Sequence, residues 1–209
     1  IAAARLLAPW FGASTIVWAN TIATVLVALS IGYALGGRFA DRNPTMAGLS
    51  RIVAIAAVLL AIVPFVADPF LRLSVNAFDT LSVGTFAGSL VGVSVLVAVP
   101  LLLLGMVSPY AVRLKVDSLT DTGRTAGRLS AIATVGSLVG TFSASLLLIP
   151  LVGTRRTFLV FALLMALVAA VGFRRKLAIA AVVGIAVLIA LPTGIVKASA
   201  ASNVIDEQE

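Results

Sequence analysis

The sequence predicts an all-α fold, a polytopic transmembrane helical bundle of about six full helices that follow the end of a truncated first helix. Hydrophobic residues make up 61% of the 209 residues and charged residues 11%, against roughly 45–50% and 25% in soluble domains. The apolar residues form long runs, and the charges lie almost wholly between them. Most of the runs contain the roughly 20 residues that a helix needs to cross a hydrocarbon core of about 30 Å.

Six apolar runs, labelled a to f in chain order, are the predicted membrane helices. They are Ile16–Leu35, Ile52–Val66, Val83–Val107, Leu129–Val152, Phe158–Phe173 and Leu177–Val196. Residues 1–12 precede run a and are interpreted as the end of a truncated helix and a turn. The transmembrane domain is therefore expected to extend over residues 1–197. Residues 198–209 are expected to begin a soluble domain that is missing here.

The loops between the runs indicate an orientation. The loops after runs a, c and e carry ten of the fifteen Lys and Arg residues, and positively charged loops are typical of the cytoplasmic side. The sequence thus predicts a multi-pass protein of a prokaryotic cell membrane. On this count residues 198–209 fall on the opposite side. A re-entrant run, an outward-facing domain with another substrate, or a misleading charge count are the alternatives that remain open.

The residue types that are absent restrict the chemistry of the chain. It contains no Cys and no His, which excludes thiolate and imidazole metal sites and a Ser-His-Asp triad. No glycine-rich phosphate-binding motif is present. The net charge is +7, but the basic residues are spread over short loops, so the lipid bilayer is the expected partner and nucleic acid is not. No catalytic, cofactor-binding or metal-binding residue is predicted.

Glycines spaced four residues apart are the predicted helix-packing positions, because small residues let two membrane helices approach closely. They are Gly32 and Gly36 in run a, Gly84, Gly88 and Gly92 in run c, and Gly136 and Gly140 in run d. Structural packing is the favoured interpretation. A sliding face between two transporter bundles is the alternative.

Polar residues inside the runs are few, and small hydroxyls are expected to bond to their own helix or across a packing seam. Asn20 and Tyr33 are the candidates for facing a substrate pathway. No acidic residue lies at the centre of any run. This argues against transport of protons or organic cations, which usually requires a buried carboxylate.

The loop after run a contains the sharpest local motif, Gly36-Gly37-Arg38-Phe39-Ala40-Asp41-Arg42. It resembles the G-x-x-x-D-R loop between the second and third helices of the major facilitator superfamily, with Gly37, Asp41 and Arg42 at the defining positions. Asp41 is expected to cap a helix or to pair with a charge near a helix end, and the two glycines to permit a tight turn. A generic basic loop with a turn is the alternative.

Six segments share their order and spacing with one narrower family. They are Ala3–Gly12, Val17–Trp18, Gly32–Arg42, Leu104–Arg113, Gly127–Thr141 and Ile149–Arg156. Together they resemble the membrane-spanning N-terminal domain of fused spermidine synthase-like proteins, and the resemblance extends to about residue 176. It implies a following soluble domain with a Rossmann-type methyltransferase fold. That domain would transfer an aminopropyl group from decarboxylated S-adenosylmethionine, its substrate, to putrescine.

The resemblance implies a role in polyamine biosynthesis, in which the helices anchor the aminopropyltransferase-like domain and also move a polyamine-like metabolite. The C-terminal catalytic domain of the same protein is then a partner, and a homo-oligomer is left open. No catalytic residue or cofactor is assigned to this chain, which alone should be inactive. The alternatives are half of a major-facilitator-type transporter with no enzyme attached, or a scaffold bundle with no substrate pathway.

Overall fold

The structure, a computed structural model, describes residues 1–12, 14–42, 44–78, 84–115 and 122–171. These residues are almost entirely helical, and no strand occurs among them. The α-helices are α1 (Ala2–Phe11), α2 (Thr15–Arg42), α3 (Met46–Phe78), α4 (Gly84–Val93), α5 (Val99–Lys115), α6 (Thr122–Phe142) and α7 (Ile149–Ala170). The π-helical segments Ser94–Ala98 and Ser143–Leu148 join α4 to α5 and α6 to α7.

Four helices in the described part of the chain are long and apolar enough to cross a membrane. They are Thr15–Arg42, Met46–Val75, Gly84–Lys115 and Gly123–Ala170. Runs a, b and c correspond to the first three in order, and run d and residues 158–170 of run e fall in the fourth. Run f and residues 198–209 lie outside the described residues. The all-helical class is thus confirmed, whereas six separate membrane helices stay a prediction.

The fourth of these helices folds back on itself at Gly153. Its backbone there has φ 83° and ψ 166°, a conformation that only glycine adopts without strain. A Cβ atom at Gly140 would lie 4.0 Å from the ring of Phe161. In one straight helix these two residues would be about 31 Å apart. Helices α6 and α7 are therefore antiparallel near the turn.

Many of the buried apolar residues form two clusters. The larger cluster contains side chains from α1, α2, α3, α7 and the α4–α5 rod, the continuous helix formed by α4, the segment Ser94–Ala98 and α5. Its members are Leu7, Val17, Val63, Ala67, Leu71, Val93, Leu96, Val97 and Phe158. The smaller cluster lies between α3 and α7 and consists of Ala57, Ala61, Leu159, Ala162 and Ala166. Its alanines allow these two helices to approach closely. Helix α6 contributes to neither cluster.

Helix α2 buries one narrow face against α4 and α5. The residues of this face recur every three or four positions, as one side of a helix requires: Val17, Asn20, Thr21, Thr24, Ala28, Gly32, Gly36 and Ala40. A Cβ atom at Gly36 would lie 2.6 Å from the Cα atom of Met106, and one at Gly105 would lie 3.2 Å from the Cα atom of Gly32. The α2 and α5 backbones are thus in direct contact.

Replacing Gly36 by alanine should therefore destabilise the protein, because the new methyl group would collide with the backbone at Met106. We expect a loss of about 1–3 kcal/mol, the usual range for overpacking. Gly37→Ala is the matched control, since nothing lies within 4 Å of a Cβ atom there; it should be neutral or stabilise the helix by up to about 1 kcal/mol. Thermal unfolding in detergent measures both variants, and equal midpoints would contradict the close approach.

Candidate functional site

Asn20 joins α2 to α4 through two hydrogen bonds. Its side chain is 5% exposed, and its Nδ2 atom donates to the Phe86 carbonyl oxygen at 3.0 Å and to Ser89 Oγ at 2.9 Å. The fully buried Ser89 hydroxyl in turn donates to the same Phe86 carbonyl oxygen at 3.2 Å. Because a buried amide needs such partners, this small network holds the two helices in register.

The network continues along α2 as a line of hydroxyl groups. Thr21 Oγ1 donates to the Val17 carbonyl oxygen of its own helix at 2.7 Å. One turn further, Thr24 Oγ1 lies 3.5 Å from Oγ of Ser94, the first residue of the π-helical segment. Such segments are often found at functional sites, which makes this the part of the α2–α4 interface to consider for binding.

A cavity of about 290 Å³ lies between α2, the π-helical segment and the start of α5. Its lining residues are Ala23, Thr24, Val27, Ala28, Ile31, Leu90, Ser94, Ala98, Val99 and Leu102. Two hydroxyls are the only polar side chains in this lining, and it contains no charge. The cavity is therefore suited to an apolar group such as an acyl chain. It offers no carboxylate that would offset the desolvation of a polycation.

The two candidate pathway residues are not brought together. Asn20 is buried at the α4 interface, whereas Tyr33 is 50% exposed. They are 13 positions apart on one helix, which corresponds to about 20 Å. They do not share a site within the described residues.

The Gly-Gly-Arg-Phe-Ala-Asp-Arg motif forms the last two turns of α2. The tight turn expected at Gly36 and Gly37 is wrong, because α2 continues without a break to Arg42. The physical reason is that Gly36 serves close packing against Met106 rather than a change of direction. Gly37 has open space around it, and Arg42 is exposed.

Asp41 pairs with the end of α5. Its Oδ1 atom lies 3.3 Å from Nε of Arg113, with 73% and 50% of the two side chains exposed. Both residues lie within one turn of the ends of their helices. The ion pair thus lies at the C-terminal end of the α2–α5 contact, whereas Asn20 lies toward the opposite end of α2.

The remaining predicted packing glycines have different surroundings. A Cβ atom at Gly88 would lie 2.7 Å from the ring of Phe11, and one at Gly92 would lie 2.9 Å from a methyl group of Leu71. These two glycines pack against side chains rather than against a helix backbone. Gly84 is the first residue of α4. Nothing lies within 4 Å of a Cβ atom at Gly136, and Gly140 has only the Phe161 ring at 4.0 Å.

Sequence reasoning missed two contacts between arginines and aromatic rings. The Arg155 guanidinium lies 4.2 Å from the centre of the Phe65 ring, and that of Arg72 lies 5.5 Å from the Trp10 ring, distances typical of cation–π interactions. Each ring is far from its arginine in the sequence, so no local pattern could have indicated the pairs. The neighbouring Arg156 has a buried Nε atom with no hydrogen-bond partner in the described part of the chain.

Comparison with known proteins gives no match: no family model, no curated protein and no solved structure is similar to this chain at a significant level. Within the described ranges, no group of three or more acidic, His or Cys residues could hold a metal ion. The function must therefore be argued from the residues and their contacts.

The Asn20 network can be measured with a double-mutant cycle. Asn20→Ala and Ser89→Ala should each lower the free energy of unfolding, because each leaves hydrogen-bonding groups unpaired at a buried interface. The double variant should lose less than the sum of the two, with a coupling energy of about 0.6 and at most about 1.7 kcal/mol, the range for interhelical hydrogen bonds in membranes. Unfolding in mixed detergent micelles gives the four values, and strict additivity would contradict the Nδ2–Oγ bond.

The Asp41–Arg113 pair predicts a charge-swap rescue. Asp41→Arg alone should lower the melting temperature, since it places a second cation beside Arg113. Adding Arg113→Asp should restore it. Asp41→Asn should cost less than about 1 kcal/mol, because the pair is exposed. Thermal unfolding at low salt tests the set, and a double variant that melts below Asp41→Arg would exclude the pairing.

Proposed function

We propose that this chain is the integral-membrane domain of a spermidine synthase-like protein, a bundle of about six full helices that anchors an aminopropyltransferase-like domain. The resemblance of six segments supports the proposal. One structural observation carries it further: two of those segments, Gly32–Arg42 and Leu104–Arg113, lie against each other.

Two glycines and one charged residue of the first segment make the contacts with the second. Gly36 lies against the Met106 backbone, Gly32 lies against Gly105, and Asp41 pairs with Arg113. Two glycines four residues apart in the first segment thus contact the backbone of the second segment, about 70 positions later in the chain. This supports a single packed unit, whose sequence is restricted by the close approach of two helices.

The polar groups of this unit support a role as a membrane anchor rather than as a transport pathway. Asn20 and Ser89 use their hydrogen-bonding groups to join α2 to α4, and the cavity beside them has no charged lining residue. Polyamines are polycations, and their passage would require carboxylates to replace their hydration. Movement of a polyamine-like metabolite through the described helices therefore receives no support from the contacts.

The proposed location is a prokaryotic cell membrane, which the chain crosses several times, with lipid as the surrounding partner. Large apolar side chains are exposed on the outer surfaces of the spanning helices, for example Leu26, Leu73, Leu151 and Val168. Many exposed large apolar side chains favour an apolar environment such as lipid. The soluble domain would begin with residues 198–209, and a homo-oligomer remains compatible with this arrangement.

Half of a major-facilitator-type transporter is the second candidate. The observation in its favour is that Asp41, in the G-x-x-x-D-R motif, pairs with an arginine at the end of a neighbouring helix. The apolar cavity between α2 and α5 would then contribute to a binding site for an apolar substrate. In this case further apolar runs, rather than a soluble enzyme, should follow.

The intact mass and full reading frame of the native protein separate the candidates. We expect a mass well above 21.4 kDa and a following domain with a glycine-rich cofactor loop and acidic residues. Full-length protein should then transfer an aminopropyl group from decarboxylated S-adenosylmethionine to putrescine, whereas residues 1–209 alone should not. Six further apolar runs in place of that domain would favour the transporter, and turnover by residues 1–209 would exclude a purely anchoring role.

A further inference from the structure

Two partly buried arginines, Arg155 and Arg156, lie directly after the turn at Gly153. The Nε atom of Arg156 is buried and has no hydrogen-bond partner within the described ranges. The Arg155 guanidinium lies over the Phe65 ring at 4.2 Å, a contact that supplies no oxygen atom as an acceptor. Neither arginine forms an ion pair with a described residue.

The buried nitrogen of Arg156 is unfavourable without an acceptor. An unpaired buried donor costs free energy, and the cost is larger when the side chain is charged. Basic side chains near a helix end usually extend their charged groups into water, but here the Nε–H group of the guanidinium has no access to solvent. An oxygen acceptor from outside the described residues would remove this cost.

The two arginines lie at the level where the apolar part of the bundle ends. Phe65 is the last residue but one of run b, and Asp68, the first charged residue after that run, lies three positions or about 4.5 Å further along α3. Asp68 is exposed and forms no ion pair with a described residue. Close to the turn, Leu151 is 77% exposed. An exposed apolar side chain and an exposed carboxylate this near to each other indicate the boundary between acyl chains and lipid headgroups.

We propose that Arg155 and Arg156 bind the phosphate group of an anionic membrane lipid at this turn. A guanidinium group can donate two parallel N–H bonds to phosphate oxygens, and basic sites between membrane helices bind lipid headgroups. The Phe65 ring would hold Arg155 in place by a cation–π interaction, while a phosphate oxygen accepts from Arg156 Nε. Lipid binding here requires the membrane location proposed above but not the attached enzyme.

The backbone at the turn adds to the attraction for an anion. Gly153 is non-helical, and the helix starts again directly after it. The N-terminus of a helix carries a partial positive charge, so it acts in the same direction as the two guanidinium groups.

Binding of phosphatidylglycerol to the complete protein, freed of lipid in detergent, tests the site. Native mass spectrometry gives the dissociation constant, and phosphatidylcholine with the same acyl chains is the zwitterionic comparison. Arg155→Gln with Arg156→Gln removes the site. Arg124→Gln with Arg128→Gln is the matched control, because it removes the same charge from two exposed arginines near the start of α6. Arg156→Lys retains the charge but removes the planar group with its Nε donor.

We expect the wild-type protein to bind phosphatidylglycerol more tightly than phosphatidylcholine. The double variant at Arg155 and Arg156 should bind phosphatidylglycerol at least about tenfold more weakly, the effect of losing one charge-assisted hydrogen bond. Arg156→Lys should show a smaller loss, and the control at Arg124 and Arg128 should bind as the wild type does. The melting temperature of each variant without lipid shows that it is folded, and Arg156→Lys decides the matter if the double variant does not fold.

Equal losses of affinity in the two double variants would show attraction by net charge alone and overturn the proposal. Displacement of phosphatidylglycerol by millimolar inorganic phosphate would identify soluble phosphate as the ligand and would also overturn it. So would unchanged lipid affinity in the folded variants at Arg155 and Arg156. In that case a lower melting temperature of these variants without lipid would assign the acceptor to another part of the chain.

Discussion

The direct backbone contact between α2 and α5 is the constraint on which the rest of the arrangement depends. Gly32 and Gly36 meet Gly105 and Met106 with no side chain between the helices, so a shift of either helix along its axis would bring side chains into the contact. This register places Asp41 beside Arg113 at one end. Toward the other end, the same α2 face places Asn20 beside Ser89 of α4.

The polar contacts at the two ends differ in what they contribute. The Asp41–Arg113 pair is largely exposed, and such pairs contribute about 0–1 kcal/mol. Asn20 is buried, so removing its partners on α4 would leave the amide unpaired and destabilise the protein by the full desolvation penalty of that group. The ion pair is therefore better understood as matching charges where the helices leave the apolar region. The Asn20 network and the glycine contact are what hold α2 in place.

The sequence could predict the helices but not their partners. Long apolar runs without charge indicated α2, α3 and the α4–α5 rod, because backbone groups in an apolar environment must bond within one helix. Glycine spacing indicated contacts at Gly36 and Gly88, yet one meets a backbone and the other a phenylalanine ring. That difference depends on the residue opposite, which no local pattern contains. The same limit explains why Gly36 and Gly37 were expected to turn the chain, when the α5 backbone instead requires glycine inside a continuous helix.

Gly136 and Gly140 repeat the four-residue spacing of Gly32 and Gly36, but their surroundings differ. A glycine inside a helix is about 1 kcal/mol less favourable than alanine, and at Gly36 the close approach of α5 offsets this cost. Around Gly136 the described residues leave open space, and fluid lipid chains would accommodate alanine equally well. The same glycine spacing therefore occurs at both positions, but only at Gly36 does the structure show a backbone contact that requires it.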